Sequence, residues 1–156
     1  MLSWRLLRIM SFVLLGGLPV VAQSSSELER KYGRPDNHLV TRLGYEVRPG
    51  VIMTVSFAPD GQICEALIEP DRVTETGVDR GRRIPAALAR EIADEIVPIA
   101  QRGRQIRGMT MGNYTSWSWT DYDRVKISSV LVGVGGPEEE LKVDKVLIRW
   151  KERRCQ

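Results

Sequence analysis

The chain reads as an α+β domain in which an antiparallel sheet of four or five strands is packed by one main helix, with a short helix ahead of it. Three observations carry that reading. Residues 51–58 and 63–68 flank Pro59-Asp60-Gly61, and this is the pattern of a β-hairpin. Residues 85–99 repeat apolar side chains at helical spacing. Further strand-like runs at 43–47, 125–132 and 145–151 are separated by turn residues or sit next to the hairpin, which favours antiparallel neighbours.

The first segment stands apart from the domain. Arg5 and Arg8 precede an apolar stretch over 9–21 and the small residue Ala22, before the polar Gln23-Ser24-Ser25-Ser26. That order is the signature of a secretory signal peptide. Its apolar core of about a dozen residues is too short to cross the roughly 30 Å hydrocarbon layer, and Gly16, Gly17 and Pro19 weaken a helix continuing there. Residues 1–22 are therefore expected to be removed, leaving 23–156 as a single secreted or periplasmic domain. With no cysteine beside the cleavage point to take a lipid, no stable membrane anchor is expected to remain. The 134 residues left suffice for one core, and no internal repeat is visible.

Within the domain, Ser26 is placed to cap a short helix running through Tyr32, with Glu27 and Glu29 near its positive end and Gly33-Arg34-Pro35 stopping it. The hairpin follows the strand at 43–47. Val51, Met53, Val55 and Phe57 alternate with Ile52, Thr54, Ser56 and Ala58, so the first set is expected to face the core. A polar loop over 71–83 leads to Pro85, a favourable first helical residue. Leu88, Ile92, Ile96 and Ile99 then form one stripe, while Arg90, Glu91, Asp94 and Glu95 lie elsewhere. Pro98 removes an amide and is expected to kink or end the helix. The segment between that helix and the strand at 125–132 reads as irregular, Gly-rich and aromatic. Gly133, Gly135 and Gly136 before Pro137 read as a turn and not as a nucleotide fingerprint, because no helix follows.

Cys64 and Cys155 are the only cysteines, 91 residues apart. In a secreted chain they are expected to form one disulfide that holds the C-terminal strand against the strand of Cys64. Such a bond is worth about 4 to 5 kcal/mol in the chain-entropy picture. Two cysteines and one distant histidine do not make a metal site, and no cofactor motif occurs. Loss of Arg5 and Arg8 leaves 21 basic against 20 acidic residues, so the net basicity largely disappears. The dense groups Arg80, Arg82, Arg83 and Arg102, Arg104, Arg107 are interleaved with glycine rather than aromatics. They read as solvated loop charge, and no nucleic-acid partner is expected.

Residues 113–123 hold two of the three tryptophans and two of the four tyrosines of the mature chain. On a strand, Trp117 and Trp119 share one face and offer a stacking platform for a sugar, a peptide or another planar group. Covering the edge of the core is the plainer use of the same pair. Tyr114, Trp117, Trp119 and Tyr122 are the candidate binding residues. Asn113-Tyr114-Thr115 also fits a glycosylation acceptor. Catalytic patterns are thin: His38 is the only histidine and sits in the turn-like Pro35-Asp36-Asn37-His38, with no nucleophile elbow or phosphate loop elsewhere. Asp121 and Asp123, two residues apart, are spaced as same-side carboxylates on a strand or as a solvated loop pair.

The series Leu28-Glu29-Arg30-Lys31-Tyr32-Gly33-Arg34-Pro35, Arg48-Pro49-Gly50, Pro59-Asp60-Gly61-Gln62 and Ile68-Glu69-Pro70 resembles small exported bacterial proteins known mainly as uncharacterised open reading frames. That resemblance implies export and a compact α+β domain. The helix ending in Tyr-Gly-x-Pro before a hairpin is also similar to the opening of small outer-membrane-assembly lipoproteins and inhibitor-like modules, whose lipid-bearing cysteine this chain lacks. The favoured functional reading is an exported, non-enzymatic binding or interaction module for an unknown protein, peptide or glycan. The alternative is a small hydrolase-like enzyme using His38 with Asp36 or another carboxylate.

Overall fold

The computed structural model describes residues 24–39, 42–74, 76–134 and 140–155. The expected leader, residues 1–22, and most of the Gly-Pro-Glu turn over 133–140 lie outside them. A helix α1 (Ser25–Tyr32) opens the described chain. Its cap is Ser24 rather than Ser26: the Ser24 hydroxyl accepts from the Glu27 amide, and the Glu27 carboxylate accepts from the Ser24 amide. This reciprocal capping box satisfies two orphan donors at once and starts the helix two residues earlier than expected.

Strands β1 (Asp36–Leu39), β2 (Arg42–Arg48), β3 (Val51–Phe57) and β4 (Ile63–Pro70) form a meander. The chain then crosses through a two-stranded ribbon, β5 (Val73–Thr74) and β6 (Gly77–Val78), and the short β7 (Ile84–Pro85). Helices α2 (Ala86–Ile96) and α3 (Ile99–Arg102) follow. A second meander completes the chain: β8 (Gln105–Gly112), β9 (Thr115–Tyr122), β10 (Val125–Val132) and β11 (Lys142–Trp150). The two meanders meet in one antiparallel sheet of order β1-β2-β3-β4-β11-β10-β9-β8, with β7 pairing to β11.

This architecture corrects the expected four- or five-stranded, helix-packed α+β domain. The molecule is mostly one antiparallel sheet carrying small helices. The expected hairpin is β3–β4, and the expected strands near 43–47, 125–132 and 145–151 are β2, β10 and β11. What was missed is β1 and, above all, β8 and β9, which occupy the segment read as irregular. Those strands lack a clean apolar alternation because β8 is exposed along its whole length and β9 turns Ser116, Ser118 and Thr120 toward the side where β2, β3 and β4 carry the core.

Cross-strand register assigns the faces. Tyr45, Met53, Ile68, Val146, Ser129, Ser118 and Thr110 stand opposite one another in one row, and Leu43, Val55, Ala66, Ile148, Ile127, Thr120 and Gly108 in the next. Leu28 of α1 and Ala89, Ile92, Ala93 and Ile96 of α2 are buried with the apolar members of these rows. Val51, Met53 and Val55 are buried there as expected, with Phe57 packed against them. Ile99 departs from the stripe: Pro98 ends the helix after Ile96 and Val97, and Ile99 is left 68% exposed. Arg102, expected as loop charge, is buried. Its Nε donates to the Val97 carbonyl at 2.8 Å, its guanidinium pairs with Asp94, and it lies 5.7 Å over the Tyr122 ring.

The Cys64–Cys155 disulfide is present, with Cα atoms 5.5 Å apart. It fastens the tail beyond β11 to β4, the strand β11 already pairs with. No helix among the described residues is long and apolar enough to cross a membrane.

Candidate functional site

The face of the sheet opposite the helices carries exposed aromatic surface. Alternation along β9 turns Ser116, Ser118, Thr120 and Tyr122 toward the helix side and Trp117 and Trp119 away from it. Register then extends the outer rows. Trp119 stands opposite Met109 on β8 and Ser128 on β10, and Trp117 opposite Met111 and Val130. The first of these rows continues through Leu147, Leu67 and Thr54 to Gly44. The result is a band without formal charge that crosses seven strands, about 29 Å at the usual strand spacing. Trp117 is 58% exposed, Met111 60% and Met109 50%, while Trp119 is partly covered. A cavity of about 260 Å³ lies beside Trp117, lined by Glu65, Leu67, Glu69, Lys145 and Leu147 among others.

Cations hold the indoles in place. Arg107 and Lys126 lie 5.2 and 5.1 Å from the centre of the Trp119 ring on their two neighbouring strands, and Lys145 lies 5.8 Å from Trp117. Each such contact at an exposed site is worth about 0.5–1 kcal/mol. The charged row flanking the band is largely paired within the chain. Arg149 bonds Glu65 at 2.6 Å, and Asp121 meets Lys151 at 2.6 Å and Arg107 at 3.7 Å. The Lys151 hydrogen bond, outweighing desolvation, lowers the Asp121 pKa, with further help from the charges of Arg107 and Lys126.

The turn behind this surface is braced. Gly112 has φ 111°, and a Cβ there would meet the Thr115 carbonyl oxygen at 2.6 Å, so only glycine fits. The buried Ser116 hydroxyl donates to the Asn113 carbonyl at 2.7 Å, and the Gly133 amide donates to the Tyr114 carbonyl at 2.9 Å. Tyr114 sits exposed at the tip and Asn113 beside it.

The structure brings together two of the four candidate binding residues, Trp117 and Trp119, with Tyr114 at the adjoining turn. Tyr122 is separated from them on the helix side, where it lines a groove of about 410 Å³ between α2 and the sheet. The period of two already implied this, since 122 differs in parity from 117 and 119. Reasoning on aromatics alone missed Met109, Met111, Leu67 and Leu147. The spacing Met109-x-Met111 is the same signal as Trp117-x-Trp119, once both segments are strands.

Asp121 and Asp123 do not form a carboxylate pair, because Asp121 is held by Lys151 while Asp123 accepts from the Arg104 amide at 3.0 Å. No cluster of metal-ligating side chains occurs among the described residues. β1, which carries His38, lies at the far end of the sheet path from β8 and β9, and the chemistry expected of Asp36 and His38 turns on side chains outside those described.

No family model and no curated protein matches the chain. Among solved structures it is similar to a DUF4309 family protein, YjgB, from Bacillus subtilis subsp. subtilis str. 168, at 17% identity and a TM-score of 0.44 over 87% of this chain and 84% of that one.

Proposed function

We propose that this chain is an exported, non-enzymatic binding module that docks a partner against the helix-free face of its sheet, with Trp117 as the anchor. The observation that carries the reading is the pairing of two exposed methionines with two tryptophans on adjacent strands of an uncovered face. Exposed, contiguous apolar surface of this kind marks interaction sites. Tryptophan supplies large rigid contact area, and methionine adapts to an irregular partner. The breadth of the band favours a protein or peptide over a single sugar ring. Export is supported by the leader-like residues 1–22 and by a disulfide, which persists in oxidising compartments.

Immobilised protein exposed to envelope and culture-medium fractions of its native host tests the reading, with protease treatment of the bound material separating a protein partner from a glycan. Calorimetry with the isolated partner then compares folded variants. Trp117→Ala and Met111→Ala are expected to weaken binding about tenfold or more, the range of a contact at the centre of an interface. Arg30→Ala, on the exposed side of α1, is expected to bind as the parent does. Unchanged affinity in both Trp117→Ala and Met111→Ala would overturn the assignment of this face.

A further inference from the structure

We propose that two copies of this chain pair edge to edge through β8, antiparallel about a two-fold axis at Met109, so that one sheet runs through both molecules. The inference needs only the edge and stands apart from the partner reading above. β8 ends the sheet path, so among the described strands its outer amides and carbonyls have no ladder partner, and all eight of its residues are exposed. Edges of this kind recruit another strand unless proline, charge or a bulge blocks them. The register against β9 breaks only between Gln105 and Arg107. From Arg107 to Gly112 the strand has no proline, no acidic residue and one charge.

The residues themselves select the register. Centring on Arg107 would set two guanidinium groups opposite each other, which is unfavourable. Centring on Gly108 would run the pairing into the register break at Ile106. Centring on Thr110 or Met111 would draw in Gly112, whose φ of 111° lies outside the strand region. Centring on Met109 gives the longest run, 107–111, that is clear of all three, with Ile106 and Gly112 just beyond its ends: Met109 faces itself, and Arg107 faces Met111 of the second copy. On the helix side, Gly108 faces Thr110 of the second copy.

A second copy fits this edge better than a foreign strand because the strand is self-complementary in that one register. Gly108 gives a further reason. Its φ is not positive, and a Cβ there would make only an ordinary 3.4 Å contact with the Trp119 carbonyl oxygen. Nothing among the described residues demands glycine at that position. Glycine inside a strand marks the close approach of another group, and the Met109-centred register supplies Thr110 of the second copy there.

Sedimentation equilibrium of the purified protein over rising concentration tests this, with circular dichroism and thermal melts reporting whether each variant folds. The parent is expected to show a reversible monomer–dimer equilibrium. Met109→Lys places two ammonium groups opposite each other and is expected to give a folded monomer. Met111→Glu and Met111→Lys bring opposite and like charge to Arg107 of the second copy. They are expected to tighten and loosen the dimer respectively, by about two- to fivefold for exposed cross-strand pairs. A parent that stays monomeric up to about 1 mM, the weak end of specific association, overturns the proposal. So does a dimer that survives in Met109→Lys, or one that responds alike to Met111→Glu and Met111→Lys.

Discussion

Glu95 ties three elements with one carboxylate. Lys31 of α1 approaches its Oε1 at 2.7 Å, the Tyr32 hydroxyl donates to the same oxygen at 2.6 Å, and Arg48 of β2 donates to Oε2 at 2.7 Å. Burial alone would raise the Glu95 pKa. Hydrogen bonds from Lys31, Tyr32 and Arg48 outweigh it and lower the value from 4.5 to about 2. Burial, followed by the bond to Glu95, raises the Tyr32 hydroxyl above its ordinary value. Because the folded carboxyl titrates below its unfolded value, its stabilisation is present above pH 4.5 and lost as pH falls toward 2. Glu95→Gln is expected to cost on the order of 2–3 kcal/mol at pH 7. The variant should also lose less stability than the parent between those two pH values, as read from urea midpoints across an acid series. Equal acid sensitivity in the two proteins would remove Glu95 as the node.

At the scale of elements, α2 and its proline stop divide an apparent stripe into parts with different energetic weight. Ile92 is buried against the sheet and Ile99 is largely exposed beyond Pro98. Ile92→Ala is expected to destabilise by about 2–5 kcal/mol through the cavity it leaves, and Ile99→Ala by under about 0.5 kcal/mol. Comparable denaturant midpoints would mean that the stripe continues through the proline. The same division shows what was readable in the chain. Elements with one buried face, such as β3 with Met53 and Val55 or α2 with Ile92 and Ile96, announce themselves because burial demands one apolar residue per period. β8 and β9 do not, because hydroxyl and glycine residues occupy their helix side while the tryptophans and methionines face outward. The Trp117 and Trp119 pairing was legible from spacing alone. Their partners Met109 and Met111 were not, because register between strands is a tertiary property.

At the scale of the molecule, the sheet order describes a two-fold arrangement: one helix and four strands, then again helices and four strands, with the last strand of each meander meeting at the centre. Leu67 and Leu147 face each other across that seam. No repeat is visible in the residues, because the corresponding positions carry different chemistry. Along the outer row, Trp119 in the second half corresponds to Gly44 in the first, and Ser128 to Thr54. Shared geometry thus carries one aromatic half and one nearly bare half. The cysteines sit one in each half, so the disulfide joins the two meanders.

That placement makes the molecule's two halves separable in sequence but not in mass. The segment 76–81 between them is exposed and includes Arg80, a tryptic site. A single cut there leaves Cys64 on one piece and Cys155 on the other. Brief trypsin digestion is expected to yield a species that migrates as one chain without reductant and as two fragments with it. Fragments that part without reductant would show that the bond does not form in the protein tested. A chain nicked in this loop therefore keeps both meanders on one covalent frame, as a two-chain protein does after processing.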